Sequence, residues 1–446
     1  MKRSINLISA TSIVISNMIG IGILITPGIL CTYLSGTGQI LLVWLLGGCI
    51  ALLGAVVYGQ LGSLMPNSGG EFYYLSKLYH PFLGFTAGWV SLIAGFAGPI
   101  ALASLAFSKY LLNFDISLPL ISQSLSVQME EKIISGLLIV LLCLMHYFRN
   151  RTALRFQLVL TILLILFLII ISFLGIRYGK IAISGHTGFS GSSVENGFGM
   201  AILLSFYSYT GWNAACYFAG EIINPKRNIP LSLFTGVSLV MVLYLAVNYG
   251  LLKILGLMKL DGQLDYLAVL GQEISGDFGH RLISFTVVTI LLASISSMIF
   301  ACSRIPVLIN HPFERQIERQ KSNLKISSPK TIWLQMGISL IFVLTFDFQQ
   351  LLICLTIILT VFSMVTSFGI FLLPWHKLKV SKRSEWFVKL SAFLFSGVLL
   401  WLIINSFRMN FMESLLGLSL LLFGGLFSFL AGVFKPKPST GQINTR

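Results

Sequence analysis

Asn17-Met18-Ile19-Gly20-Ile21-Gly22-Ile23-Leu24-Ile25-Thr26-Pro27-Gly28 is apolar enough to lie in a membrane, yet glycines and a proline fill its middle, where an unbroken spanning helix would hold Leu, Val or Ala. Both residue types weaken a helix interior. The stretch reads as an interrupted helix.

The chain around it is a polytopic membrane protein. Of its 446 residues 56% are hydrophobic and 10% charged, whereas a soluble domain carries about 25% charged residues. The net charge of +15 comes from short basic clusters between apolar stretches, which fits membrane orientation. No basic patch with interleaved aromatics points to nucleic acid. The six cysteines, Cys31, Cys49, Cys143, Cys216, Cys302 and Cys354, fall in apolar segments without CxxC spacing, so no metal site or disulfide framework is signalled. Met1-Lys2-Arg3 before an apolar run resembles a signal peptide, but the run is too long and has no small-residue cleavage site, so it is expected to be the first span.

Stretches of about twenty apolar residues cross the hydrocarbon core. Twelve are predicted: 7–33, 39–64, 83–111, 133–148, 156–176, 196–222, 230–254, 280–303, 331–346, 350–374, 386–406 and 412–433. With Met1 cytoplasmic, 22 of the 30 Lys and Arg fall inside, and only Lys109, Lys132, Arg177, Lys180, Lys253, Lys259, Arg281 and Arg408 outside. Removing one span would flip every later loop and destroy this bias, so the positive-inside rule tests the count as well as the direction. A multi-pass protein of the cell membrane with both termini cytoplasmic is expected. Residues 304–330 form the longest inner connection, and 435–446 read as a short disordered tail.

The inner loop 65–82 contains Met65-Pro66-Asn67-Ser68-Gly69-Gly70-Glu71-Phe72-Tyr73-Tyr74-Leu75. It suits a short interfacial or re-entrant helix opened by the glycines, and a polar connection anchored by interfacial tyrosines fits its composition equally. Gly84 and Gly88 in the third span read as packing residues.

A second interruption lies in the sixth span, Ser205-Phe206-Tyr207-Ser208-Tyr209-Thr210-Gly211-Trp212-Asn213. The first span enters from the cytoplasm and the sixth from outside, so five-helix units beginning at these spans run in opposite directions. Gly-interrupted segments at corresponding places in two inverted halves point to a transporter binding site. The units are 7–176 and 196–374, followed by two further helices over 386–433.

Chemistry follows from the interruptions. Unwinding leaves N–H groups at the start of the outer half-helix unpaired, with the positive end of its dipole behind them, which suits an anion. At Ile21, Gly22 and Ile23 the missing Cβ of Gly20 and Gly22 lets a carboxylate approach the backbone. Freed carbonyls of Met18, Tyr207 and Thr210 can accept from an ammonium group, so a zwitterion satisfies both sets. The competing reading makes Gly20 and Gly22 packing residues; the second interruption at Gly211, in the corresponding position, tips the balance towards a site.

These motifs resemble the amino acid–polyamine–organocation superfamily, and within it the L-type amino acid transporters. The resemblance rests on Ile19 to Pro27, on Gly69-Gly70-Glu71, and above all on Tyr207 to Asn213 continuing through Glu221-Ile222-Ile223-Asn224-Pro225-Lys226-Arg227-Asn228-Ile229-Pro230. It implies an all-α LeuT-type fold of two inverted five-helix repeats plus two C-terminal helices, and transport by alternating access. It further implies that Ile21 and Gly22 offer carboxylate-binding amides, that Met18, Tyr207 and Thr210 offer amino-binding carbonyls, and that Tyr207 is the aromatic gate. Three departures stand out: Ile21 replaces a small polar residue, Leu164 stands where related exchangers carry lysine, and the outer loop 112–132 has no cysteine for a disulfide-linked heavy chain.

Ser294, Ser296 and Ser297 in the eighth span can offer oxygens to a cation or hydrogen-bond a neighbouring helix. A proton-coupled mechanism would want a titratable group in the membrane; Glu71 and Glu221 are placed near the inner face, in water. With no carboxylate in the middle of spans 1, 3, 6, 8 or 10, Glu221 standing at the inner end of the sixth, a neutral amino acid is the expected substrate. A cation-coupled permease for cationic amino acids or polyamines and a non-transporting amino acid sensor are the alternatives. Scattered histidines give no intramembrane enzyme; no cofactor, metal or nucleic-acid partner is expected beside the amino acid and the bilayer, and the oligomeric state stays open.

Overall fold

A computed structural model describes residues 3–114, 126–148, 153–180, 192–302, 329–378 and 381–430. The tail 435–446, most of the connection 304–330 and the middle of the loop 112–132 lie outside the described residues.

The described chain is helical, with one isolated bridge between Ile5 and Ile222. The first span is two helices, α1 (Leu7–Met18) and α2 (Ile21–Tyr33), bent by 42° at their junction. Asn6 caps α1 by accepting from the Ser9 N–H at 2.9 Å. After α3 (Thr37–Leu64), a short helix α4 (Glu71–Leu78) opens on Gly69 (φ +122°) and Gly70 (φ +52°), backbone conformations that glycine alone adopts readily. Of the two expectations for this loop, the helix opened by glycines is the one found.

The third span runs from Pro81 to Leu112 as α5 (Pro81–Val90), a π-helical stretch Ser91–Ala97 and α6 (Gly98–Leu112). The π turn was invisible in the sequence, because it shifts hydrogen-bond partners without changing residue type. At its end, the Ala97 carbonyl accepts from Ser339 Oγ at 2.9 Å. Gly84 is the packing residue expected, since a Cβ there would strike Ser76 of α4.

There follow α7 (Val127–Phe148), α8 (Ala153–Tyr178) and α9 (Ser192–Ser208), then a turn to the short α10 (Ala214–Tyr217), α11 (Pro225–Ile254), α12 (Gly256–Leu260) and α13 (Tyr266–Cys302). The last begins well before the predicted 280 and kinks at Ser275 and Gly276, the latter at φ +61°. Finally come α14 (Pro329–Thr345), α15 (Phe348–Phe368), α16 (Lys382–Met409) and α17 (Phe411–Leu430). The narrow gap between α14 and α15 is real: Asp347 caps α15, and its N–H donates to Gln350 Oε1 at 3.3 Å.

Among the described residues six helices are long and apolar enough to cross a membrane, the bent α1–α2 pair passes the same test as one span, and there are four shorter apolar helices, three between these spans and one after the last. They pack in two groups. In one, α11 lies along α1 and α3, while α9 packs on α2, α3 and α16; in the other, α6, α7, α13 and α14 pack on one another, and α8 touches both α11 and α13. Many large apolar side chains of α8, α16 and α17 face outwards, among them Phe173, Phe393 and Phe423, as expected where lipid is the solvent.

Candidate functional site

The two interruptions meet. A Cβ on Gly22 would lie 2.6 Å from the Ser208 Cα, and one on Gly211 would lie 2.5 Å from the Asn17 carbonyl oxygen. Gly211 also sits at φ +95°, so both geometry and space exclude other residues there. Ser208 Oγ donates to Thr26 Oγ1 at 2.9 Å, adding a polar tie between α9 and α2. Gly22 is thus a close-packing residue, and the packing it permits is what joins the two interruptions.

Gly20 differs. A Cβ on it would meet nothing within 4 Å, and no side chain caps α2 behind it. The N–H groups of Ile21, Gly22 and Ile23 are those that helix geometry leaves without an intrahelical acceptor. Sequence reasoning grouped Gly20 with Gly22, whereas the structure puts one beside open space and the other in tight contact.

The carbonyls are less free than the sequence implied. Met18 O accepts from the Tyr244 hydroxyl at 2.8 Å, and the same hydroxyl lies 3.3 Å from Ser208 O. Tyr207 O accepts from the Thr210 N–H at 2.8 Å, which closes the turn after α9. Each carbonyl oxygen has a second lone pair, so a ligand would share these acceptors with the protein. Tyr207 itself is buried, with Thr210 and Gly211 half-buried beside it.

Tyr244 was missed because one tyrosine in an apolar span carries no pattern. Tyr266 was missed for the same reason, although its partner was legible: Pro27 has no N–H to give the Ile23 carbonyl one turn earlier, and Tyr266 Oη donates to that oxygen at 2.6 Å. Tyr209, in the second interruption, donates to Trp44 O on α3 at 2.9 Å.

Glu71 corrects an expectation. Placed in water by the sequence reading, it is buried at 5% exposure. Its Oε1 accepts from Tyr58 Oη of α3 at 2.5 Å and from Asn213 Nδ2, at the end of the second interruption, at 3.4 Å. Burial pushes the carboxyl up to about 7, against the pull of these two hydrogen bonds.

The serines of α13 divide. Ser296 Oγ is 2.7 Å from His146 Nε2 on α7, the helix-to-helix bond that competed with the cation reading, and Ser294 and Ser297 are half-buried. Among the described residues no cluster of His, Cys, Asp and Glu could hold a metal. The six cysteines are free, five of them buried and Cys49 exposed.

Comparison with known proteins bears on the family and the fold. The chain is 25% identical over 311 residues to the Asc-type amino acid transporter 1 of Mus musculus, a match covering 68% of this chain and 58% of that protein. It thus spans little more than half the length of that relative. The serine/threonine exchanger SteT of Bacillus subtilis (strain 168) is 25% identical over 396 residues, 86% of each chain. The crystal structure of MhsT in complex with L-phenylalanine superposes with a TM-score of 0.60 at 13% identity, covering 91% of this chain and all of that one; this likeness concerns the fold, which is LeuT-like. The amino acid permease family model matches residues 5–425, and the chain therefore belongs to that family, in the amino acid–polyamine–organocation superfamily.

Proposed function

We propose that the protein is a secondary active transporter of neutral L-amino acids working by alternating access. The substrate's carboxylate takes the amides of Ile21, Gly22 and Ile23, and its ammonium shares the carbonyls of Met18, Tyr207 and Thr210, with Tyr207 as the gate. One observation carries this reading: Gly22 against Ser208 and Gly211 against Asn17 hold the interruptions together while Gly20 faces open space. An uncapped helix start and polar backbone at one place suit a zwitterion.

The same reading gives twelve spans, with repeats over 7–176 and 196–374, two further helices over 386–433, and both termini in the cytoplasm. The two packing groups, joined through α8, supply parts that can rock against each other. In favour of neutral substrates, Glu71, the acidic side chain bonded to Asn213 at the end of the second interruption, already accepts two hydrogen bonds from the protein. The pairing of Ser296 with His146 argues against a cation held by Ser294, Ser296 and Ser297.

The test is uptake of labelled neutral amino acids into proteoliposomes, with and without unlabelled substrate inside, sodium, or a proton gradient. Saturable uptake stimulated by internal substrate is expected. Binding without accumulation would instead indicate a sensor, and no saturable signal for any neutral amino acid would sink the assignment.

A further inference from the structure

Glu71 and the elements around it form a closed polar cluster that substrate binding does not use. Tyr58 from α3 and Asn213 beside α10 both donate to Oε1, which makes that oxygen the carbonyl oxygen of a neutral acid and leaves Oε2 to carry a proton. The other titratable groups at the cluster are the phenols of Tyr74, edge-on to Tyr58 with ring centroids 6.4 Å apart, and of Tyr217, and the thiol of Cys216, 3.6 Å from Tyr58 O. Thr366 of α15 lies against Tyr58 and Ser91 against Tyr217. All these groups are uncharged near neutrality.

The cluster sits behind a seam. The Gly69 N–H donates to Tyr217 O at 3.2 Å, the Gly220 N–H to Ser68 Oγ at 3.2 Å, and Gly70 packs on the Tyr217 ring. Just beyond, the N–H groups of Ser4 and Ile5 both donate to Glu221 O, at 2.9 and 3.0 Å. The chain start, α4 and the segment after the second interruption therefore close one end of the molecule together.

We propose that Glu71 is a proton-binding site that controls this end: protonated, it lets α3, α4 and α10 stay together, and ionised, it admits water and favours their separation. An ionised carboxylate buried without a cation is expensive to keep dry, and hydrating it requires the seam to part. The proton comes from water at that face and returns to it, and only the Oε2–H bond forms and breaks. The proposal depends on the transport reading only for its effect on flux.

Two measurements on the full chain in lipid test it. First, Cys216, fully buried beside the cluster, is labelled with a maleimide at equal pH on both sides and read by peptide mass, in the wild type and in Glu71→Gln. The ratio of the two rates removes the pH dependence that the two proteins share, and the negative charge of ionised Glu71 beside the thiol would by itself slow the wild type, so it cannot produce the expected rise. It should rise at least fivefold between pH 6 and 8, with a midpoint near 7, and a constant ratio overturns the proposal. Tyr58→Phe removes a donor that favours the ionised form, so its midpoint should move upward; an unmoved or lowered midpoint also overturns it. Second, amino acid counterflow is followed over the same pH range. pH-gated labelling without any counterflow would support the gate and defeat the transport reading. Lysine or arginine uptake abolished by Glu71→Gln with unchanged labelling would make Glu71 a substrate counter-ion and overturn the gate.

Discussion

Gly20 and Gly22 are two residues apart and separate space from contact. Gly22→Leu should abolish substrate binding while the protein still inserts, because any Cβ there pushes α2 away from Ser208; binding by a labelled amino acid, with size-exclusion as the folding check, tests this. Gly20→Val should leave the melting temperature within a few degrees of wild type and raise KM at least tenfold, since its side chain would enter the open space. Full affinity in Gly20→Val would move the carboxylate site elsewhere. Tyr244→Phe leaves the Met18 carbonyl short of a donor, a loss of about 1–3 kcal/mol, and thermal unfolding should register it together with a raised KM. At this scale the glycines were legible because they violate an apolar helix. Tyr244 and Glu71 were not: the partners of the one lie more than thirty residues away, and the burial of the other depends on how α4 folds back against α3 and α10.

At the level of elements, the chain start is paired to the segment after the second interruption. Ile5 donates to Glu221 O and accepts from the Ile223 N–H at 2.9 Å. Proline at position 5 removes the first bond and keeps the second, so Ile5→Pro should expose Cys216 to maleimide faster than wild type at pH 6; equal rates would show that the bridge carries none of the closure. Both helix breaks were readable from glycine placement, and the helix after Gly69 and Gly70 was one of two open readings. The π turn Ser91–Ala97 and the kink at Ser275 and Gly276 were not readable, since each is set by packing: Ser339 reaches the Ala97 carbonyl from α14, and a lone Ser-Gly pair fits a loop as well as a bend.

For the molecule as a whole, the buried carboxyl links stability to pH. Glu71 has a folded value near 7 against an ordinary value of 4.5, so the folded state holds the proton more tightly. Its contribution to stability is fully present below pH 4.5, declines above it, and is lost as pH rises through 7. The wild type should therefore lose melting temperature relative to Glu71→Gln as pH rises from 4.5 to about 7 and run level with it above, and parallel profiles throughout would mean that the carboxyl is hydrated when folded. The class of molecule was legible because an apolar chain with its positive charge gathered between spans has few ways to fold. The packing into two groups was not, since lateral contacts between apolar helices leave no mark on composition. Within that architecture, the bond from Tyr266 to the Ile23 carbonyl has a mechanical meaning. A backbone hydrogen bond inside a helix is given up only by unwinding, whereas one lent by a side chain is released by a single rotamer change. Pro27 thus leaves a detachable fastening in the first turn of α2, operated from the first residue of α13, so the second half of the first span can be loosened from a distance without melting.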